Sequence, residues 1–150
     1  MSVRLTPDEA WDVLARAHTG ILTTLRRDGM PISLPMWFVA LDRTICISAP
    51  SGTKKLSRLR HDPRASFLVE SGERWAELEA VHLTGRVEEV IDENEVARIA
   101  DALDGKYAAF RTESTEMSQA TRAHYSGRTY LRLVPDERIL SWDNRKLGLM

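Results

Sequence analysis

Between residues 20 and 91 the chain breaks into short β-rich runs, each closed by a turn signal, and this rhythm limits the architectures open to it. Residues 21–26 and 31–40 flank Arg27-Asp28-Gly29, and Asp-Gly between two such runs is a strong hairpin signal. Leu41-Asp42-Arg43 turns the chain into a third run, 44–49, and residues 65–70 make a fourth before the turn Ser71-Gly72-Glu73. The stretch 75–91 predicts one long strand, with Val81, Leu83, Gly85 and Val87 alternating against His82, Thr84, Arg86 and Glu88. Glycine in mid-strand marks a bulge or sharp bend, so Gly85 predicts that this strand turns a corner. Residues 130–134 read as a sixth strand, and after a turn at Pro135-Asp136 a short last strand covers 139–142.

Helical patterns interrupt this series at three places. Thr6-Pro7-Asp8-Glu9 combines an N-cap, a proline at the first helical position and a capping-box glutamate, and Gly20 stops the helix. Leu56-Ser57-Arg58-Leu59-Arg60 is a short helix ended by Asp62-Pro63. Asp92 caps a third helix whose Val96, Ile99, Leu103 and Tyr107 line one side, and the polar stretch 111–127 reads as helix plus loop. Short antiparallel strands around a bent central member favour a closed barrel over a doubly wound parallel sheet. The expectation is one domain over residues 1–150, mainly β with helices: a six- to seven-stranded antiparallel Greek-key barrel.

Charge excludes some functions. A formal net charge of −1 with acids and bases interspersed offers no field for nucleic acid or a membrane surface. No apolar run approaches the ~20 residues of a spanning helix, and the first residues lack a signal-peptide core. The single cysteine, Cys46, lies in an apolar strand and reads as a small buried hydrophobe, which fits a reducing cytoplasm. His18, His61, His82 and His124 show no metal-ligand spacing, so no metal is assigned.

Two of the four lysines stand together at Lys54-Lys55, after Ser51-Gly52-Thr53 and at the start of the short helix. Strand, Gly/Ser/Thr loop, lysine pair and helix start together suit an anion, because N-terminal amides are unpaired and partly positive. Ser51 and Thr53 hydroxyls with Lys54 or Lys55 would bind a phosphate; in the plainer reading Thr53 only caps the helix.

The order of these segments resembles the split-barrel flavin-binding superfamily that includes pyridoxamine 5′-phosphate oxidase. The carriers are Gly20-Ile21-Leu22-Thr23-Thr24 through Asp28-Gly29-Met30-Pro31, Leu34-Pro35-Met36-Trp37-Phe38, Thr53-Lys54-Lys55 through Asp62-Pro63-Arg64, and Leu83-Thr84-Gly85-Arg86-Val87-Glu88. The resemblance implies a split β-barrel homodimer with FMN or the deazaflavin F420 at the subunit interface. Its phosphate would lie on Ser51, Thr53, Lys54 and Lys55, and its ring system along Pro35, Met36, Trp37, Ser48 and Ala49. Trp142 from the other subunit would help close the site, or pack the dimer. Trp37 serves equally as strand packing, and Arg58 and Arg60 either reach an anionic cofactor tail or are solvated. The implied activity is hydride transfer between the cofactor and a small organic molecule, with F420 slightly favoured by the arginine-rich composition. A non-catalytic flavin carrier or sensor uses the same pocket and is the alternative. The last residues, 141–150, lack the arginine-rich motif of the true oxidases, which points away from vitamin B6 phosphate as substrate.

Overall fold

A computed structural model describes residues 2–112 and 127–148. The described strands are β1 (Gly20–Leu25), β2 (Pro31–Met36), β3 (Val39–Leu41), β4 (Thr44–Pro50), β5 (Arg64–Ser71), β6 (Glu79–Glu89) and β7 (Arg128–Asp143). Every pairing is antiparallel, and the order across the sheet is β2-β1-β5-β6-β7-β4-β3. Three helices, α1 (Pro7–Arg16), α2 (Lys54–His61) and α3 (Glu93–Tyr107), pack around it.

The two edge strands are neighbours in sequence. Laid flat, six strand spacings of ~4.8 Å would hold β2 and β3 ~29 Å apart. From Met36 to Val39 the chain takes three Cα steps, at most ~11 Å. The sheet therefore curls until its edges approach, and the edges are not hydrogen-bonded to each other. This is the expected barrel, split along one seam.

Here the single second strand expected over 31–40 is corrected: it breaks at Trp37-Phe38. Phe38 is fully buried and packs edge-on to Phe67, with ring centroids 4.7 Å apart. Its backbone is satisfied by side chains of α3 rather than by a ladder. The Tyr107 hydroxyl accepts from the Phe38 N–H at 2.9 Å. Its one proton is available to the carbonyls of His18 (2.7 Å) and Phe38 (2.9 Å). Lys106 Nζ donates to the same Phe38 carbonyl at 2.8 Å.

Other boundaries follow from local chemistry. Thr6 and Glu9 form the expected capping box, and Asp92 accepts from the Glu95 N–H at 3.0 Å. The β3–β4 turn places Asp42 and Arg43 at φ 52° and 54°, the twist that a two-residue hairpin requires. Arg98 of α3 holds Asp42 at 2.5 Å, and Arg43 pairs with Asp8 of α1. Gly85 sits at the expected bulge, where a Cβ would lie 2.2 Å from the Val134 carbonyl oxygen.

Three expectations are revised. The two strands expected at 130–134 and 139–142 are one, because β7 bends at Pro135 opposite Gly85 and runs on. Residues 75–77 are a 3₁₀ turn, so β6 begins at Glu79. Gly20 opens β1, α1 having ended at Arg16, and its missing side chain admits the Phe67 ring; a Cβ there would be 2.0 Å from it. The helix and loop expected over 111–127 lie almost wholly outside the described residues.

The main core fills the curl, with Leu14, Leu22, Phe38, Ile45, Phe67, Val81, Leu83 and Leu131 at its centre. A second cluster joins Val39 and Cys46 to Ile99, Leu103 and Tyr107 of α3. Cys46 is the expected buried residue, and burial raises its thiol pKa. No helix among the described residues is long and apolar enough to cross a membrane.

Two outcomes test the α3 clasp. Tyr107→Phe leaves the buried Phe38 N–H without an acceptor and should cost ~1–3 kcal/mol in urea unfolding with an unchanged m value. A loss below ~0.5 kcal/mol would mean that Lys106 alone holds the crossover. Burial also lowers the Lys106 ammonium pKa to about 8. An unfolded lysine titrates near ~10.4, so between these values the unfolded chain binds more protons and stability rises with pH. Comparison of unfolding curves from pH 7 to 10.5 should show this component in the wild type and its loss in Lys106→Met.

Candidate functional site

β4 runs on through Ile47–Pro50 after its pairing with β3 ends at Cys46, so the outer edge of this stretch has no strand partner among the described residues. Extending that register would set residue 37 opposite Ser48, but the chain leaves for β2 at this point. The seam therefore opens between the Pro35-Met36-Trp37 segment and the free edge of β4. The chain then turns through Ser51 and Gly52, the latter at φ 87°, into Thr53 and α2.

Thr53 is the N-cap of α2 in extended geometry, yet its side chain makes no capping bond. Thr6 and Asp92, at the same position on α1 and α3, both make one. Thr53 thus holds the cap position that the plainer expectation gave it, but its hydroxyl does not do the capping. Its hydroxyl is the only buried side-chain N or O among the described residues without a hydrogen-bond partner. Burying a hydroxyl without a partner costs ~1–3 kcal/mol, so the position calls for an acceptor or donor beyond the described residues.

Cations gather around that hydroxyl's loop. Lys55 is half-buried, and its ammonium pKa is lowered first by burial, then by the positive charges of Arg58 and Arg128. Arg58 Nε donates to Thr24 Oγ1 at 2.8 Å, anchoring the guanidinium to β1. Arg128 donates from Nε to Ser48 Oγ at 2.9 Å and from Nη2 to the Ser48 carbonyl at 3.2 Å. Lys54 is exposed beside them. Among the described residues no carboxylate pairs with Lys54, Lys55 or Arg58, whereas most arginines elsewhere are in ion pairs. Positive side chains collected at a helix N-terminus favour a nearby negative charge.

The sequence-expected residues divide by place. Ser48, Ser51, Thr53, Lys54 and Lys55 surround the loop; Ser51 hydrogen-bonds Thr129 Oγ1 at 2.9 Å and its N–H donates to the Gly127 carbonyl. Pro35 and Met36 lie on β2 at the seam, exposed and half-buried respectively. Trp37 is stacked on Tyr107 with centroids 4.5 Å apart and planes 4° apart, and His18 meets it edge-on. One face of its indole therefore packs on α3. Ala49 is fully buried in the core, leaving only its backbone toward the seam. Arg60 pairs with Glu89 at 2.6 Å, on the side of α2 away from Arg58. Trp142 stands opposite Ala80 at the far end of β7 from Arg128, so one chain does not bring it to the loop. Arg128, Thr129 and Thr24 were not foreseen. They are distant in sequence, and only the β4–β7 and α2–β1 contacts bring them to the loop.

Similarity to known proteins agrees with this architecture. Residues 6–139 match the model of the pyridoxamine 5′-phosphate oxidase family. A conserved hypothetical protein from Mycobacterium tuberculosis is 30% identical, with a TM-score of 0.84 over 99% of this chain and 91% of that one. A FAD-binding protein from Mesorhizobium loti is 22% identical, TM-score 0.70, over 91% of this chain and 93% of its own. An F420 reductase is 20% identical, TM-score 0.68, over 90% and 98%. The search of curated proteins finds no match. The matched span and the 30% identical structure together show that the chain belongs to the pyridoxamine 5′-phosphate oxidase family.

Proposed function

We propose that the protein is an oxidoreductase that transfers a hydride between a flavin-type cofactor and a small organic molecule. The observation that carries the reading is the Thr53 hydroxyl at the start of α2, without a hydrogen-bond partner among the described residues and close to Lys54, Lys55 and Arg58, with which no described carboxylate pairs. Structural relatives named as FAD-binding and as an F420 reductase support the cofactor class. Thr53 and Lys55 would hold the phosphate, with Lys54 at the rim and Arg58 fixed by Thr24. The free edge of β4 and the backbone of Pro35–Trp37 would flank the ring system.

When bound, such a cofactor supplies the hydride acceptor or donor. This chain's part is to bind, to orient and to exclude water: the helix N-terminus and Lys55 hold the anionic end, and the clasped crossover fixes one lip of the seam. Of the two candidate cofactors the reading favours F420, with FMN as the alternative. Lys54, Lys55 and Arg58 together exceed the two charges of one phosphomonoester, which suits a cofactor bearing further carboxylates. Arg60, in its pair with Glu89, is not needed for this.

The reading includes a homodimer. On the outer face of the sheet Pro35, Ile21, Leu68, His82 and Leu140 form one continuous cross-strand row, and Leu140 is 61% exposed. Trp142 lies two residues along β7 from Leu140, so a second copy on this face would bring its Trp142 toward the seam. Sedimentation should give a dimer, and Leu140→Glu should shift it toward monomer; a wild-type monomer that binds cofactor tightly would remove this part.

Titration of the purified protein with FMN and, separately, F420, followed by fluorescence, tests the main reading. Micromolar binding of one is expected. Thr53→Val and Lys55→Ala should each weaken it by ~1–3 kcal/mol, and unchanged affinities would move the site elsewhere. Only protonated Lys55 attracts the phosphate, so affinity should fall as pH rises through its lowered pKa, and Lys55→Arg should remove that fall. Hydride transfer by the loaded protein separates an enzyme from a carrier.

A further inference from the structure

The sheet carries a second cleft, of about 380 Å³, at the opposite end of β1 from Thr24. Thr19, on its rim, is five residues from Thr24, about 16 Å along an extended strand, so this cleft is separate from the phosphate loop. Its floor is apolar, formed by Val13, Ala17 and Val69.

One wall holds Glu79, a carboxylate only 3% exposed. Oε2 accepts from Arg145 at 2.5 Å and from Arg16 at 3.4 Å. Among the hydrogen bonds of the described residues, Oε1 receives the Ser71 hydroxyl, at 3.4 Å, while the Asp143 carboxyl also faces the Glu79 side chain. Each carboxylate oxygen can accept two good bonds, so Oε1 keeps acceptor capacity inside the cleft. Glu70, beside Ser71, makes no ion pair among the described residues, and α1 ends here with partly negative carbonyls. The opposite charge is also present. The Arg16 side chain is 62% exposed and bonded to Glu79 at 3.4 Å, with donors left over toward the cleft beside His18 and Thr19.

A simple cation would meet Arg16, and a simple anion would meet Glu70 and Glu79. A single molecule with both charges uses every group. We propose that this cleft binds a small zwitterion of the α-amino-acid class, its ammonium on Glu79 Oε1, Ser71 and Glu70, its carboxylate on Arg16, and a short apolar side chain over Val13, Ala17 and Val69. The site does not depend on the cofactor reading and stands if that reading fails.

The test is a ¹H–¹⁵N NMR titration of the full chain with L-leucine and with its two half-molecules, 3-methylbutylamine and 4-methylpentanoate. L-Leucine should give saturable shifts at residues 16–19 and 69–71. Each half-molecule should bind at least about tenfold more weakly, since each gives up one set of charge-assisted hydrogen bonds. Glu70→Gln and Ser71→Ala, both at exposed positions, should weaken L-leucine about three- to tenfold with the rest of the spectrum unchanged. Glu79→Gln also disturbs Arg145, so it is not the deciding variant. Absence of saturable shifts would overturn the proposal. So would equal binding of the amine alone, which would make this a cation site, or wild-type affinity in both variants.

Discussion

The two residues Trp37 and Phe38 carry the chain from one edge of a seven-stranded sheet to the other, and the remaining architecture follows from that short reach. A flat sheet cannot satisfy it. Once the sheet curls, its inner face must be filled, and Phe38 itself supplies part of the filling against Phe67. The crossover is also the place where backbone groups lose their ladder partners. Burying them unpaired would be costly, and the Tyr107 hydroxyl with the Lys106 ammonium meets that demand from α3. The lysine does so at the expense of partial desolvation, visible in its lowered pKa.

The same passage of the chain from β2 to β3 shapes the candidate site. β4 keeps a free edge beyond Cys46, and the loop that follows it delivers the start of α2 to the seam. Folding then concentrates Lys55, Arg58 and Arg128, whose mutual repulsion opposes the compact state. An anion at the N-terminus of α2 relieves that repulsion and gives the Thr53 hydroxyl a partner. On the proposed reading, this electrostatic and hydrogen-bond deficit among the described residues is what the cofactor's phosphate would meet.

Much of the local structure was legible in the order of residues. The Thr6 and Asp92 caps, the Asp42-Arg43 turn, the bulge at Gly85 and the placing of Lys54-Lys55 at a helix start depend on neighbours within a few positions. The misreadings have a common cause. Residues 31–40 alternate well enough for one strand, and only Tyr107, far along the chain, shows why it breaks at Phe38. Pro135 reads locally as a turn, but opposite Gly85 it is a bend within β7. Arg58 and Arg60 are equivalent in sequence, yet Thr24 claims one and Glu89 the other.

What the sequence by itself determined is the inventory: antiparallel strands, three helices, a long strand bent at Gly85, an anion-suited loop and a resemblance to flavin-binding split barrels. These are set by periodicity, capping and turn chemistry, which act over one turn of helix or one hairpin. What only the tertiary structure decided is the company each group keeps. It stacked Trp37 on Tyr107, drew Arg128 and Thr24 to the loop, buried Ala49, sent Trp142 to the far end and left Thr53 without a partner among the described residues. Those outcomes depend on contacts between residues far apart in the chain. Such contacts are fixed by the closing of the curl, so no local pattern of residues encodes them.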